Sequence, residues 1–207
     1  MRKFLIFLSA TAVLTAPAFA HARGFDSDFS AAIKGPFKLE IVVSEDLAHR
    51  ANNLPKKLSD RGGSTRLQSG FANNGRFGDR EIEYLLEDMR EEITEDFAKR
   101  GLILSESAPN LLRVTINEVK PNRPTFNQLR EEPNLSFQSI AIGGADVSAE
   151  IVDGQGTVIG TAEYDYFSNF NDRPLRGTGV WTDAYRAFSR FSKQLTKTLS
   201  KTSTGSS

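Results

Sequence analysis

Between Leu111 and Phe167 three runs alternate apolar and polar residues at period two, LLRVTINEV, ADVSAEIV and TVIGTAEYDYF. This is the pattern of strands with one buried and one wet face. Asp153-Gly154-Gln155-Gly156 joins the last two runs, so they read as a tight antiparallel hairpin and the three together as a meander. Upstream, Phe37 to Ser44 sets Leu39, Ile41 and Val43 against Lys38, Glu40 and Val42, which predicts a first strand. Leu135 to Ile142 predicts another, and Gly143-Gly144 after it suits a bulge or sharp bend.

Two stretches carry the helical period instead. Ile82, Leu86, Met89, Ile93 and Phe97 repeat at three and four residues, with Glu87, Asp88, Arg90, Glu91 and Glu95 facing away. Asp79 is placed to cap the start of this helix, Lys99 and Arg100 complement its end, and Gly101 suits the closing position. Around Trp181 to Leu199 a second stripe is made by Trp181, Ala184, Phe188, Phe191, Leu195 and Leu199, with Lys193, Lys197 and Lys201 facing water. A short helical turn over Glu45 to Asn52 is stopped by Pro55. The predicted fold class is α+β: a mainly antiparallel meander sheet with two amphipathic helices packed on one face.

The rest reads as connections. His21 to Pro36 has no sustained period and is read as an N-terminal arm. Asn52 to Gly78 is rich in Gly, Asn, Lys and Arg, with Leu54, Leu58, Leu67, Phe71 and Phe77 at irregular spacing, and reads as a long loop pinned at a few points. Pro121, Pro124 and Pro133 stiffen a second long connection between Val119 and Leu135. The expected organisation is a signal peptide over 1–20, an arm over 21–36, one α+β domain over 37–201 and a disordered tail over 202–207.

The first twenty residues change where this domain is expected to work. Arg2 and Lys3 precede an uncharged apolar run from Phe4 to Leu14, and Ala18-Phe19-Ala20 supplies a small-x-small cleavage pattern. Cleavage after Ala20 is expected, with Ala22 the alternative. Pro17 and small residues end the run short of a membrane span. The chain has no cysteine, which excludes a lipid-modified terminus and any disulfide, so stability in an oxidising compartment must come from burial. These features predict a periplasmic protein that is not lipid-anchored and has no transmembrane segment after cleavage. Cleavage removes Arg2 and Lys3 from 26 basic residues and nothing from 26 acidic ones. The mature chain, about 187 residues long, then carries about −2, which argues against nucleic acid or anionic membrane as a general partner.

Little catalytic chemistry is available. With two His and no Cys, structural zinc and iron–sulfur sites lack their usual ligands. A terminal His21 could chelate copper through its amine and ring, but the simpler reading is an exposed terminus. The reading includes no metal and no cofactor. His49 is the one candidate base for acyl transfer, near Ser44 and Asp46 in SEDLAHRAN, yet no G-x-S-x-G elbow accompanies it, and a surface or N-capping role is the plainer reading. Gly154-Gln155-Gly156 lies between two strands, where it makes a turn rather than a phosphate loop. Asp26 with Asp28 and Glu131 with Glu132 are most simply solvated charge, although paired carboxylates could cleave a glycan.

The most distinctive stretch is Pro121-Asn122-Arg123-Pro124-Thr125-Phe126. A stiff loop carrying Arg, Asn and an aromatic residue is cheap to order and suits recognition, so Asn122, Arg123, Thr125 and Phe126 are the candidate binding residues, with no catalytic residue assigned. The bland alternative is that the prolines route a crossover while Asn122 and Arg123 bond neighbouring backbone.

PNRPTF, SFQSIAIGGADVSAEIVDGQG and the closing WTDAYRAFSRFSKQL resemble exported proteins of Gram-negative bacteria in domain-of-unknown-function families. The resemblance runs from Phe37 to Lys201 and lies in the order of elements: a strand, a helix, a meander ending in a Gly-containing hairpin, then a Trp-Asp-Ala helix. Related lipoproteins carry an anchoring Cys after the signal, which this chain lacks. More distantly the layout is similar to small envelope-assembly domains that bind proteins or glycans without catalysis. The resemblance carries no functional residue. It implies an exported, non-enzymatic binding or envelope-maintenance protein whose partner is an envelope protein or glycan. The alternative is a carboxylate-dependent hydrolase of a cell-wall glycan or peptide.

Overall fold

The computed structural model describes residues 24–29, 33, 35–61, 68–168 and 179–204. The signal segment, part of the arm, residues 62–67 and 169–178 and the last three residues lie outside them. Strands β1 (Gly24–Phe29), β2 (Phe37–Val43), β3 (Asn110–Lys120), β4 (Gly144–Val152) and β5 (Val158–Phe167) form one sheet in the order β1-β5-β4-β3-β2. Helices α1 (Glu45–Asn52), α2 (Asp79–Lys99), α3 (Phe126–Glu131) and α4 (Thr182–Thr204) complete the chain.

The meander β3-β4-β5 is antiparallel, as its alternation and turn require. Asp153 builds that turn: its Oδ1 accepts from the amides of Gln155 (2.8 Å) and Thr157 (2.9 Å). The sheet as a whole is mixed, because β2 lies parallel to β3. A parallel pair needs a crossover, and α1, the loop after it and α2 supply it. Gly24–Phe29, read from the sequence as part of an arm, is an edge strand antiparallel to β5.

Leu135 to Ile142 is not a strand. Both edges of β3 and of β4 are already paired, so a run between them in sequence finds no free edge on either. Gly78, at φ 89°, rather than Asp79 precedes the first turn of α2. Asp79 instead accepts from Asn52 Nδ2 at 2.7 Å. The last helix extends to Thr204, into the expected tail.

One face of the sheet is apolar and covered. Leu112, Val114 and Ile116 of β3, Val147 and Ile151 of β4 and Tyr164 of β5 lie under α2 and α4, with Phe25, Phe29, Leu39 and Ile41 continuing the layer onto the edges. From α2, Ile82, Leu85, Met89, Ile93 and Phe97 face this layer, and from α4, Trp181, Ala184, Phe188, Phe191, Leu195 and Leu199. The aromatics of α4 sit over small residues, Ala145, Ala149 and Ala162. Each fully buried Phe or Leu contributes about 1.5–3 kcal/mol. No helix among the described residues is long and apolar enough to cross a membrane.

Helices α2 and α4 run side by side in the same direction. Trp181 Nε1 donates to Glu81 (2.6 Å), Ser192 Oγ to the Glu92 carbonyl (3.0 Å), and Arg100 Nε to Thr196 Oγ1 (3.2 Å). Into this seam α2 brings Asp88, whose Oδ2 is buried without a hydrogen-bond partner. Burial, and then repulsion from Glu92 and Glu91, raises its carboxyl from the ordinary 3.8 to about 6. Burial also raises the Tyr185 hydroxyl opposite, with Asp88 adding to the effect.

Folded Asp88 holds its proton more tightly than the unfolded chain does. Its ionised form therefore costs stability above about pH 6, and the cost is lost as pH falls towards the ordinary carboxylate value. Half-exposed, the group is screened, so the cost is about 1–2 kcal/mol. Asp88→Asn is expected to stabilise the protein by that amount near neutral pH, with the gap to the parent closing as pH falls from about 7 to about 4. Urea unfolding across that range checks it, and a pH-independent gap would sink the assignment.

Candidate functional site

Helices α2 and α4 start, and strands β2, β3 and β5 finish, at one end of the domain, which also holds the described parts of the three long connections: 53–61 with 68–78, 121–143, and 168 with 179–181. Each connection is held there by side chains whose partners are far away in sequence.

Asn122 is the centre of this arrangement and is fully buried. Its Nδ2 donates to Asp183 Oδ2 at 2.5 Å, and its Oδ1 accepts from the Asp183 amide at 2.8 Å. Asn122 thus caps the first turn of α4 from another element, satisfying an amide that the helix leaves open. Its backbone N–H donates to the Val180 carbonyl (2.7 Å), and its carbonyl accepts from Ala141 (3.0 Å). Asp183, also buried, takes a further bond from Ser168 Oγ (2.7 Å) and pairs with Arg186 (2.6 Å). Gly143 leaves room for this: a Cβ there would lie 2.5 Å from Asn122 Oδ1.

Thr125 and Gln128 form a capping box at the start of α3. The same Gln128 reaches across to the earlier loop, its Nε2 donating to the carbonyls of Phe71 (2.9 Å), Asn74 (2.9 Å) and Gly75 (3.2 Å). Phe71, Ala72 and Ala141, with Leu135, make a small second core between the two loops. Arg76 pairs with Glu131 at 2.5 Å, and Asn74 donates to Glu132 at 2.7 Å.

The four residues singled out from the sequence therefore divide. Asn122 and Thr125 are buried and fasten the fold. Arg123 donates to the Gln138 carbonyl at 2.8 Å and fastens the loop that carries Phe137. Phe126 is 66% exposed, and Phe137, which the sequence did not single out, is 74% exposed. The T-x-x-Q spacing of Thr125 and Gln128 was the available signal for a cap rather than a contact.

A polar cavity of about 420 Å³ opens at the same end, between α1, the Leu58–Asp60 turn, Asn73 and the end of β3. It takes its shape from a bulge: register shifts between Ile116 and Glu118, and the extra residue Asn117 donates to Asp146 Oδ1 (3.0 Å) and Ser148 Oγ (3.1 Å). Beyond the bulge Glu118 and Lys120 line the cavity, facing Asp46, Arg50, Lys57 and Asp60. Ser44, near the candidate base His49, is committed to structure: it caps α1 by accepting from Leu47 N (3.2 Å) and donates to the Asn117 carbonyl (2.9 Å).

Arg50 is the unusual member. It occupies the inner face of α1 beside Leu47 and Ala51 and is only 5% exposed. Its Nη2 donates to the Asn73 carbonyl at 3.3 Å, while Glu118 Oε1 stands 3.7 Å from Nη1, beyond hydrogen-bond length. Its Nε is buried without a partner. Glu118 is shared, with Lys120 Nζ 3.4 Å from the same oxygen. The chain closes over Arg50 tightly: the carbonyls of Arg50 and Ala51, left open at the end of α1, accept from Arg76 N (2.5 Å) and Gly78 N (2.6 Å). A Cβ on Gly75, just before them, would lie 2.2 Å from the Asn53 carbonyl oxygen. A cation on the apolar face of SEDLAHRAN was the sequence signal for this residue.

No protein-family model matches the chain, and no curated protein matches it. Among solved structures it is similar to PelC from Paraburkholderia phytofirmans. One PelC dodecamer, a point variant, has a TM-score of 0.40 at 10% identity, over 83% of this chain and 95% of that chain. A second PelC dodecamer has a TM-score of 0.38 at 11% identity, over 82% of this chain and 96% of that one.

Asn122→Ala removes one donor from the buried Asp183 carboxylate and leaves the Asp183 amide without its acceptor, and is expected to cost about 2–4 kcal/mol. Phe126→Ala removes an exposed ring and is expected to change stability by less than about 0.5 kcal/mol. Urea unfolding of the two variants beside the parent checks both values. Equal costs would show that the Asn122 network does not fasten the fold.

Proposed function

We propose that this is an exported periplasmic protein that binds an envelope protein or glycan without catalysis, and that it does so through its loop-bearing end. The observation that carries this reading is the exposure of Phe126, at the start of α3, and of Phe137, on the loop after it, in a connection that is itself fastened by buried polar bonds. Large aromatic side chains on a preordered surface cost little entropy to engage and are the usual anchors of recognition. The signal-like N-terminus and the resemblance to exported domains support the location. Arg123 acts behind this surface: by gripping the Gln138 carbonyl it sets the position of the loop bearing Phe137.

The competing reading, a hydrolase of a cell-wall glycan or peptide, is favoured by the three carboxylates of the cavity, Asp46, Asp60 and Glu118. The two make opposite demands. Photo-crosslinkers placed at Phe126 and Phe137 in the native envelope are expected to capture the same partner, with none captured from Glu91 on the outer face of α2. Capture no different from Glu91 would overturn the binding reading, and turnover of cell-wall fragments lost on a single Asp60→Asn or Glu118→Gln change would establish the hydrolase.

A further inference from the structure

We infer that the cavity beside Arg50 is a binding site for a small zwitterionic ligand, one carrying a carboxylate and an ammonium group, of the size of a short peptide. This deepens the binding role proposed above, and rests on it in taking this end of the domain as the recognition surface.

The argument begins with Arg50. A guanidinium presents five N–H donors in a rigid fork and cannot lose its charge. Burying it is costly unless those donors are met. Among the described residues, the Asn73 carbonyl accepts one bond, the nearest carboxylate stands off at 3.7 Å, and Nε has no partner. Arg50 is thus nine-tenths buried, under-bonded, and a wall of a cavity large enough for a small molecule. Glu118 does not neutralise this wall, because it is divided between Arg50 and Lys120, two cations to one carboxylate. A ligand carboxylate meets this excess with a charge-assisted hydrogen bond.

The remaining charge fixes the other half of the ligand. Asp46 and Asp60 line the cavity along with Lys57, so this part carries one negative charge in excess. Asp60 accepts from Ser59 Oγ at 3.0 Å and keeps its second oxygen for a donor. A bare anion meets Asp46 and Asp60 as like charges, and a bare cation meets Arg50 and Lys120. A zwitterion is complementary to both parts at once, which makes the charge pattern a means of rejecting either alone. No aromatic side chain lines the cavity among the described residues, so it lacks the stacking platform on which a neutral sugar ring depends.

The test is a titration of the purified mature protein with alanyl-alanine, followed through backbone amide NMR shifts, with inorganic phosphate and N-acetylglucosamine as comparison probes. The dipeptide is expected to move Ser59, Asn73 and Glu118 in a saturable way and the other two probes to bind at least about tenfold more weakly. Arg50→Lys keeps the charge but removes the fork, and is expected to weaken the dipeptide about tenfold. Asp60→Asn lies on an exposed turn, so it tests the ammonium side without endangering the fold, and is expected to weaken the dipeptide severalfold while leaving phosphate unchanged or stronger. Three results overturn the inference: no dipeptide shifts at these amides, phosphate or the sugar binding as well as the dipeptide, or dipeptide binding indifferent to Asp60→Asn. A failed titration beside successful crosslinking from Phe126 removes the cavity site alone. Saturable dipeptide binding beside failed crosslinking leaves the site and removes the protein or glycan partner.

Discussion

The buried exchange between Asn122 and Asp183 is the constraint on which the loop-bearing end depends. It bonds the exit of β3 to the first turn of α4, and through Ser168 and Gly143 it also holds the exit of β5 and the entry to β4. Four chain segments that separate along the sequence are thereby brought to one point. A buried carboxylate without these donors would be a large penalty, so the network is worth far more intact than its bonds suggest singly. Once α4 is placed, Trp181 meets Phe77 edge-on at 5.3 Å and bonds Glu81, which places α2 as well.

Arg50 shows the opposite economy. Asn122 is buried with every polar atom answered, whereas Arg50 is buried with its Nε unanswered and its nearest carboxylate beyond hydrogen-bond length. The fold nevertheless closes on it from two sides, with α1 below and the Gly75 turn above at backbone contact distance. A charge held in this state is a cost to the folded protein that a ligand can relieve. The bulge at Asn117 belongs to the same device, since it turns the end of β3 out of the sheet's regular alternation towards the cavity.

The uncovered face of the sheet is polar and mostly acidic. Asp26 stands opposite Glu163, and Asp146 opposite Asp165, which are unfavourable cross-strand neighbours. Each aspartate of the second pair takes a donor elsewhere: Asp146 from Asn117 Nδ2 and Asp165 from the Gly24 amide. The outward carboxylates on β1 also blunt an edge strand that would otherwise invite pairing.

What the sequence determined by itself was whatever rests on one face being buried. The alternation of β3, β4 and β5, the Asp153 turn, and the stripes of α2 and α4 were all legible, because burial imposes a period on each element locally. Phe25, Ser27 and Phe29 alternate too, but a run of six with two aspartates is too short and polar to distinguish from an arm, and its pairing with β5 lies 141 residues away. The run at Leu135 had the period of a strand without being one, since strand formation needs a free neighbouring edge and no period reports that. The candidate site was legible in its location but not in its roles. Asn122 and Arg123 carry polar groups that can face solvent, a partner or the core, and only the arrival of Asp183 and Gln138 decided that they fasten the fold. Arg50 and the cavity were decided in the same way, because a cavity belongs to the space between elements and no single segment encodes it.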